Sequence, residues 1–338
     1  MPRDLSKPFT LYWSSLDTFE GCPQSFLWKK GWGAIDVGGG PGRKKPVPVQ
    51  KSEHHAVMGT AIQAVIERFY NDGLWKILTP MELRDRLLEM GKEEFRLECA
   101  RRFIDWRLCE PREEQEKLVL DGILGYMKTM KAHKLLGPYA KCEVDMVGYV
   151  NKYTPIGGRA DLTIRRDTEP RKGVTILDGK NGKRYKDGKG GWMTYTDPDQ
   201  LRWYALCFYL VYRQQPDHLG FIYYRYPYGA PCINPDGVAT GETEEGVVWV
   251  PFTQEDLKGL AQRAVDARKK MDKEKFEATP NPKTCRFCDY ETVCPQRTEQ
   301  KDQNRRGPKS SKMPSEMVNA TGFTILNFGG DPNPTSGE

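Results

Sequence analysis

Val174-Thr175-Ile176-Leu177-Asp178-Gly179-Lys180 is the stretch on which the reading of this chain turns. Val174 to Leu177 are β-favouring and apolar, so Gly173 to Asp178 reads as a short strand that delivers a carboxylate. The preceding strand, Arg159 to Arg166, follows Gly157-Gly158 and carries Asp161. Two carboxylates at adjacent ends of paired strands can share divalent ions, and hard oxygen ligands favour magnesium or manganese. Such a site polarises a phosphoryl oxygen and activates water at neutral pH. Lys180 lies two residues beyond Asp178, on the same face of a strand. There it can steady the attacking water or the charge growing on phosphorus. A carboxylate and a lysine two apart also occur on ordinary strands, so the neighbouring residues must decide.

Several neighbours agree. Glu143, in the strand Cys142 to Val150, is placed to bind metal or orient the site. Gln200 and Tyr204 are four apart on a helix expected from Pro198 to Arg213, and therefore share a face. From Arg171 to Lys189 there are seven basic residues (Arg171, Lys172, Lys180, Lys183, Arg184, Lys186, Lys189) against Asp178 and Asp187. A basic stretch beside carboxylates suits a polyanionic substrate drawn to a metal site, although a solvated loop has the same composition. Trp192 and Tyr195 adjoin this run and can stack on unpaired bases, or equally belong to the core.

Outward from this centre, residues 10–30 read as one short helix entered through Ser14 or Ser15. Residues 31–53 read as a Gly-, Pro- and Lys-rich loop. Gly38 to Lys45 is not a phosphate-binding P-loop, because no Gly-Lys-Ser/Thr follows at the required spacing. Ala61, Val65, Ile66 and Phe69 recur at helical spacing between Ala56 and Tyr70. Pro80 opens a helix to about Ile104, and Pro111 another that ends near Leu136. Gly220 to Arg225 and Gly246 to Pro251 are further strands, and Thr253 caps a last helix through Lys275. The chain after Arg297 is polar and Pro/Gly-rich, as expected of a disordered tail. Its one apolar island is Gly322 to Phe328.

The cysteines form the second pattern. Cys22 lies in Phe19-Glu20-Gly21-Cys22-Pro23, and Cys285-x2-Cys288-x5-Cys294 closes the folded part. Four thiolates can hold a 4Fe–4S cube, and zinc suits the same set. Unpaired intracellular thiols are the third reading. Whichever applies, ligands this far apart would staple the termini together.

The 338 residues carry 52 basic and 46 acidic side chains, for a net charge of +6. No apolar run approaches the roughly 20 residues of a membrane helix, and the start lacks a secretory pattern. A cytoplasmic protein without membrane contact is the expectation. Nine cysteines then argue for metal or cluster chemistry rather than a disulfide scaffold.

Five pieces together resemble the RecB-type branch of the PD-(D/E)XK nucleases, close to CRISPR-associated RecB-like exonucleases and the AddAB nuclease domain. Ser14 to Pro23 resembles the family's opening S-x-L-x-x-F/Y-x-x-C-P element. Gly59 to Glu67 resembles its G-x-x-x-H-x-x-x-E helix, with Gln63 where the family commonly has histidine. Gly158 to Leu162 and Ile176 to Lys180 resemble the metal-binding core. Asp199 to Tyr204 resembles the Q-x-x-x-Y helix, and Cys285, Cys288 and Cys294 the closing cysteines.

This resemblance implies an α/β, restriction-endonuclease-like mixed sheet flanked by helices. A single domain would span 1–298, with a helical part at 10–138, a nuclease core at 139–275 and a cysteine segment at 276–298. It further implies a 4Fe–4S cluster on Cys22, Cys285, Cys288 and Cys294. Magnesium or manganese would sit on Asp161, Asp178, the Gly179 carbonyl, Glu143 and Gln63, with Lys180, Gln200 and Tyr204 assisting. The expected activity is DNA exonuclease, on single strands or free ends gripped by Lys183, Arg184, Lys186, Lys189 and Trp192. Since no ATPase motif is present, unwinding would need a helicase or recombination partner. A catalytically weak DNA-binding or adaptor protein is the rival, because Gln63 departs from the family pattern.

Overall fold

The computed structural model describes residues 9–30, 52–136, 139–168, 170–181, 185–186, 192–193, 197–225, 229, 231–233, 239–242, 246–273, 276–281, 284–285 and 288–296. Residues 31–51 of the loop expected over 31–53, Lys183, Arg184, Lys189, Tyr195 and the tail 299–338 with its island at 322–328 lie outside them. Residues Met1–Val293 form one compact unit and Cys294–Glu338 a second.

The chain opens with β1 (Leu11–Tyr12), α1 (Trp13–Gly21) and α2 (Pro23–Lys30), then α3 (His54–Asn71), α4 (Leu74–Ile77), α5 (Pro80–Arg101) and α6 (Arg112–Ala132). The strands β2 (Ala140–Asn151), β3 (Thr154–Arg166) and β4 (Gly173–Lys180) follow, with the short β5 (Tyr185–Lys186) and β6 (Trp192–Met193). After α7 (Pro198–Tyr212) come β7 (His218–Tyr223), β8 (Pro231–Ile233), β9 (Ala239–Glu242), β10 (Val247–Trp249) and α8 (Gln254–Asp272).

A mixed sheet runs β1-β3-β4-β7-β10, with β2 paired to β3. β2, β3 and β4 form an antiparallel meander, whereas β4 and β7 are parallel, joined by the crossover helix α7. One face of the sheet packs on α3, α5 and α6 through Ile62, Ile66, Phe69, Leu162, Leu177 and Ile222. The other face meets α1, α2, α7 and α8 through Leu16, Phe26, Ile176, Trp203, Phe221 and Leu260. This is the mixed sheet flanked by helices that the sequence implied.

Local chemistry explains the clearest boundaries. Thr79 and Glu82 form a reciprocal capping box ahead of Pro80, and Thr253 and Asp256 form another at α8. Differences from expectation are equally local. The helix expected over 10–30 is a two-residue strand and two helices, broken at extended Cys22, whose N–H still bonds Thr18 O at 3.0 Å. Neither Ser14 nor Ser15 caps it, because α1 starts directly from extended Tyr12. β4 runs on through Lys180, so Asp178 sits inside the strand rather than at its end.

Both ends of the compact unit are tied together. Thr279 Oγ1 donates to Gly21 O at 3.0 Å, and a Cβ at Gly21 would lie 3.3 Å from Thr284. Lys29 pairs with Asp289 at 3.6 Å, and Trp28 meets Tyr290 edge-on at 5.2 Å. At the centre, buried Trp203 donates its indole N–H to Gly157 O at 2.9 Å. Trp203→Ala opens a cavity and orphans that carbonyl, so it should cost about 4 kcal/mol in urea denaturation.

Candidate active site

Asp178 and Lys180 alternate with Leu177 and Gly179 along β4, so they face α7 together with Ile176. Lys180 contacts the Asp178 carboxylate and donates to Gln200 Oε1 at 3.0 Å. The Gln200 amide group donates to Tyr204 Oη at 3.0 Å and reaches Asp178 Oδ1 at 3.5 Å. One amide thus ties the lysine, the carboxylate and the phenol, and Gln200 and Tyr204 share the face of α7 that their four-residue spacing sets. Gly158 makes the close approach of α7 to β3 possible, since a Cβ there would lie 2.9 Å from the Tyr204 ring.

Asp161 joins them across the strand pair, its Oδ2 accepting the Gly179 N–H at 2.8 Å. Along β2 and β3 the inward alternation changes phase at this point. Ala140 and Cys142 pack towards α3, but Val144 and Met146 pack towards α7. Opposite them, Leu162 and Ile164 face α3 while Ile156 and Ala160 face α7. The reversal coincides with Glu143, whose φ of 50° is left-handed for a residue with a side chain. Such a conformation costs on the order of 1–2 kcal/mol and persists only where surrounding contacts hold it. Those contacts are Gln63, which donates to Glu143 Oε1 at 3.1 Å, and Arg159, 3.5 Å from Oε2.

Gln63, on α3, is held on three sides. Besides Glu143 it donates to Asp161 O at 3.4 Å, and its Oε1 accepts the Tyr224 hydroxyl at 3.0 Å. Asp161, Glu143, Gln63, Gly179 and Tyr224 line a cleft of about 500 Å³, with Glu67 and Asn181 at its wall.

Electrostatics in the cleft favour a cation. Burial, with the nearby Asp178 charge second, pushes the Asp161 carboxyl up to about 8, against a partly offsetting bond from the Gly179 N–H. Burial raises Asp178 as well, opposed by Lys180. The folded chain therefore holds protons that the unfolded chain has released between the ordinary carboxylate range and about pH 8. Stability of the metal-free protein falls as pH rises through that window. In chelator, Asp161→Asn should melt roughly 5 °C above the wild type at pH 8, and the gap should close near pH 4. Calorimetry at the two pH values checks this.

Two desolvated carboxylates, both offset by the charge of Lys180, fit a hard divalent ion, whose shell main-chain carbonyl and water oxygens would complete. Among the described residues, no three His, Cys, Asp or Glu side chains are gathered to hold a metal ion by themselves. That applies to the cysteines too. The segments of Cys22 and Cys285 adjoin through Gly21 and Thr284, but the described thiols form no ligand set. Cys288 Sγ instead lies 3.6 Å from Ser25 Oγ and accepts the Tyr290 N–H at 3.4 Å. Cys294 Sγ bonds Gln296.

The structure thus brings together Asp161, Asp178, Gly179, Lys180, Gln200, Tyr204, Glu143 and Gln63. Of the residues expected to hold DNA, Lys186 and Trp192 lie on the β5–β6 pair. Among the described members of the basic run, Arg171 and Lys180 lie at opposite ends of β4. Arg171 stacks over Trp249, 4.0 Å from the ring, before β4 begins, while Lys180 ends that strand. Sequence reasoning missed Tyr224 as a site residue. Its only signal was a position just past the apolar run of β7, the strand parallel to β4. Glu67, one turn beyond Gln63, was legible as part of the helix motif but not as cleft lining.

No described helix is long and apolar enough to cross a membrane. A search of curated proteins found no match. The family model of the PD-(D/E)XK nuclease superfamily matches residues 12–295, from the end of β1 to just past Cys294. With its two carboxylates and lysine on paired strands of a mixed sheet, the chain belongs to the PD-(D/E)XK nuclease superfamily.

Proposed function

We propose that this nuclease is a magnesium- or manganese-dependent DNA exonuclease of the RecB-like type, acting in recombination, repair or DNA processing. The observation that carries this reading is the Asp161–Asp178–Lys180 group, with Lys180 held at 3.0 Å by Gln200 beside an open cleft. Asp161, Asp178, Glu143 and the Gly179 carbonyl would hold the ion, with Gln63 alongside. When bound, a divalent ion supplies Lewis acidity to the scissile phosphate and favours ionised water as the nucleophile. Lys180 contributes a fixed positive charge at the same edge, where charge develops on phosphorus. Gln200 and Tyr204 keep that ammonium from swinging into solvent. Lys183, Arg184, Lys186, Lys189 and Trp192 are the proposed DNA contacts.

Lys180→Ala should lower turnover about 10³-fold while leaving manganese uptake intact. Calorimetry beside single-turnover cleavage separates the two effects. Time courses on 5′- and 3′-labelled single- and double-stranded DNA, with magnesium, manganese or chelator, test the reading as a whole. Metal-dependent release of nucleotides from one end supports it. DNA binding without cleavage in either metal supports the adaptor reading that Gln63 suggests.

A structural 4Fe–4S cluster on Cys22, Cys285, Cys288 and Cys294 is part of the proposal, supported by the spacing and by the tie between Gly21 and Thr284. Anaerobically purified protein should carry about four iron and four sulfide per chain. Cys22→Ser should lose the iron and unfold at lower temperature. Stoichiometric zinc without iron, after growth with ample iron, excludes the cluster. A partner helicase would supply unwinding.

A further inference from the structure

The Glu143 carboxylate and the main-chain oxygen of Asp161 both accept from the Gln63 side chain, at 3.1 and 3.4 Å. They select the NH2 edge of the amide. Turning the amide over would set its oxygen against two acceptors. The opposite edge, Oε1, is filled by the Tyr224 hydroxyl at 3.0 Å.

Tyr224 itself has no room to move. Its side chain is buried, its N–H bonds Lys180 O at 3.1 Å, and its ring meets Tyr126 edge-on at 6.0 Å. Its hydroxyl lies so close to Gly179 that a Cβ there would be 1.6 Å away. One phenol therefore touches both the residue whose carbonyl is a proposed ligand and the amide that holds Glu143.

We propose that Tyr224 is a positioning residue of the metal site, fixing the Gln63 amide so that it holds the left-handed Glu143 carboxylate at the cleft. The inference rests on the metal reading of this cleft. Gln63 then serves the ion through Glu143, and the phenol, amide and carboxylate act as one unit. An imidazole at position 63 would ligate directly and have no need of the phenol.

Manganese titration of chelator-stripped, full-length protein tests this without reference to cleavage. Tyr224→Phe keeps the ring and removes one hydroxyl. It should weaken manganese binding roughly 10-fold, within the range expected for outer-shell partners. Gln63→Ala should weaken it comparably, and the double variant should be no worse than Gln63→Ala alone. In a Gln63→His background, Tyr224→Phe should change the Kd by less than about twofold. An unchanged Kd in Tyr224→Phe, even with a lowered melting temperature, overturns the inference and assigns Tyr224 to packing alone. Losses that add in the double variant overturn it as well. If the wild type takes up no manganese, the metal reading itself fails, and this inference with it.

Discussion

Asp178→Ala is expected to abolish cleavage, lowering the single-turnover rate at least ~10³-fold, or ~4 kcal/mol of transition-state stabilisation. The carboxylate is buried at 3% exposure, contacts Lys180 and is met by Gln200 at 3.5 Å, so removing it strips both the ion and the lysine of their anchor. Loss of a negative charge beside the phosphate path should leave DNA affinity intact or raise it. Filter binding in chelator and single-turnover cleavage in magnesium read the two effects separately. A folded Asp178→Ala protein that cleaves at the wild-type rate would place the chemistry elsewhere.

Gly179→Ala is expected to be nearly as damaging, for a steric reason. The added methyl would lie 1.6 Å from the Tyr224 hydroxyl oxygen and 2.3 Å from its ring carbon. No rotamer change at Gly179 relieves this, so β4 and the buried phenol must separate. Overpacking of this kind costs about 3 kcal/mol or more, and it displaces Asp178 and Lys180 on either side. Urea denaturation should show the loss. Combining the change with Tyr224→Leu, which removes the offending atoms, should recover part of the stability but not the activity. Full activity in Gly179→Ala alone would mean that β4 is not held against Tyr224 in solution.

How much of this was legible in the sequence follows from the range of the forces involved. Helices α3, α5, α7 and α8 are written in local signals: the spacing of Ala61, Val65, Ile66 and Phe69, the caps at Thr79 and Thr253, and the prolines at 80 and 198. The pairing of Lys180 with Asp178 follows from period two, and that of Gln200 with Tyr204 from period 3.6. The phase reversal at Glu143 and Asp161 was not legible. A residue with positive φ that is neither Gly nor Asn carries no local signature, and the contacts that hold it, with Gln63 and Arg159, come from other elements or the neighbouring strand. Tyr224 was hidden for a similar reason. It reads as one more aromatic after β7, and its role arises from a partner 161 residues away. The break at Cys22 was obscured because the apolar spacing of Leu16, Phe19 and Phe26 continues across it.

The most direct test of the active-site assignment is a metal-restoration experiment on three proteins stripped by chelator: wild type, Asp161→Ala and Asp178→Ala. Each is titrated with manganese by calorimetry, and cleavage of one end-labelled DNA is followed at every step. If the active-site assignment holds, the wild type regains cleavage in step with manganese uptake, while both variants bind the ion poorly and cleave nothing. Cleavage by the wild type in chelator, or equal restoration in either variant, would contradict it.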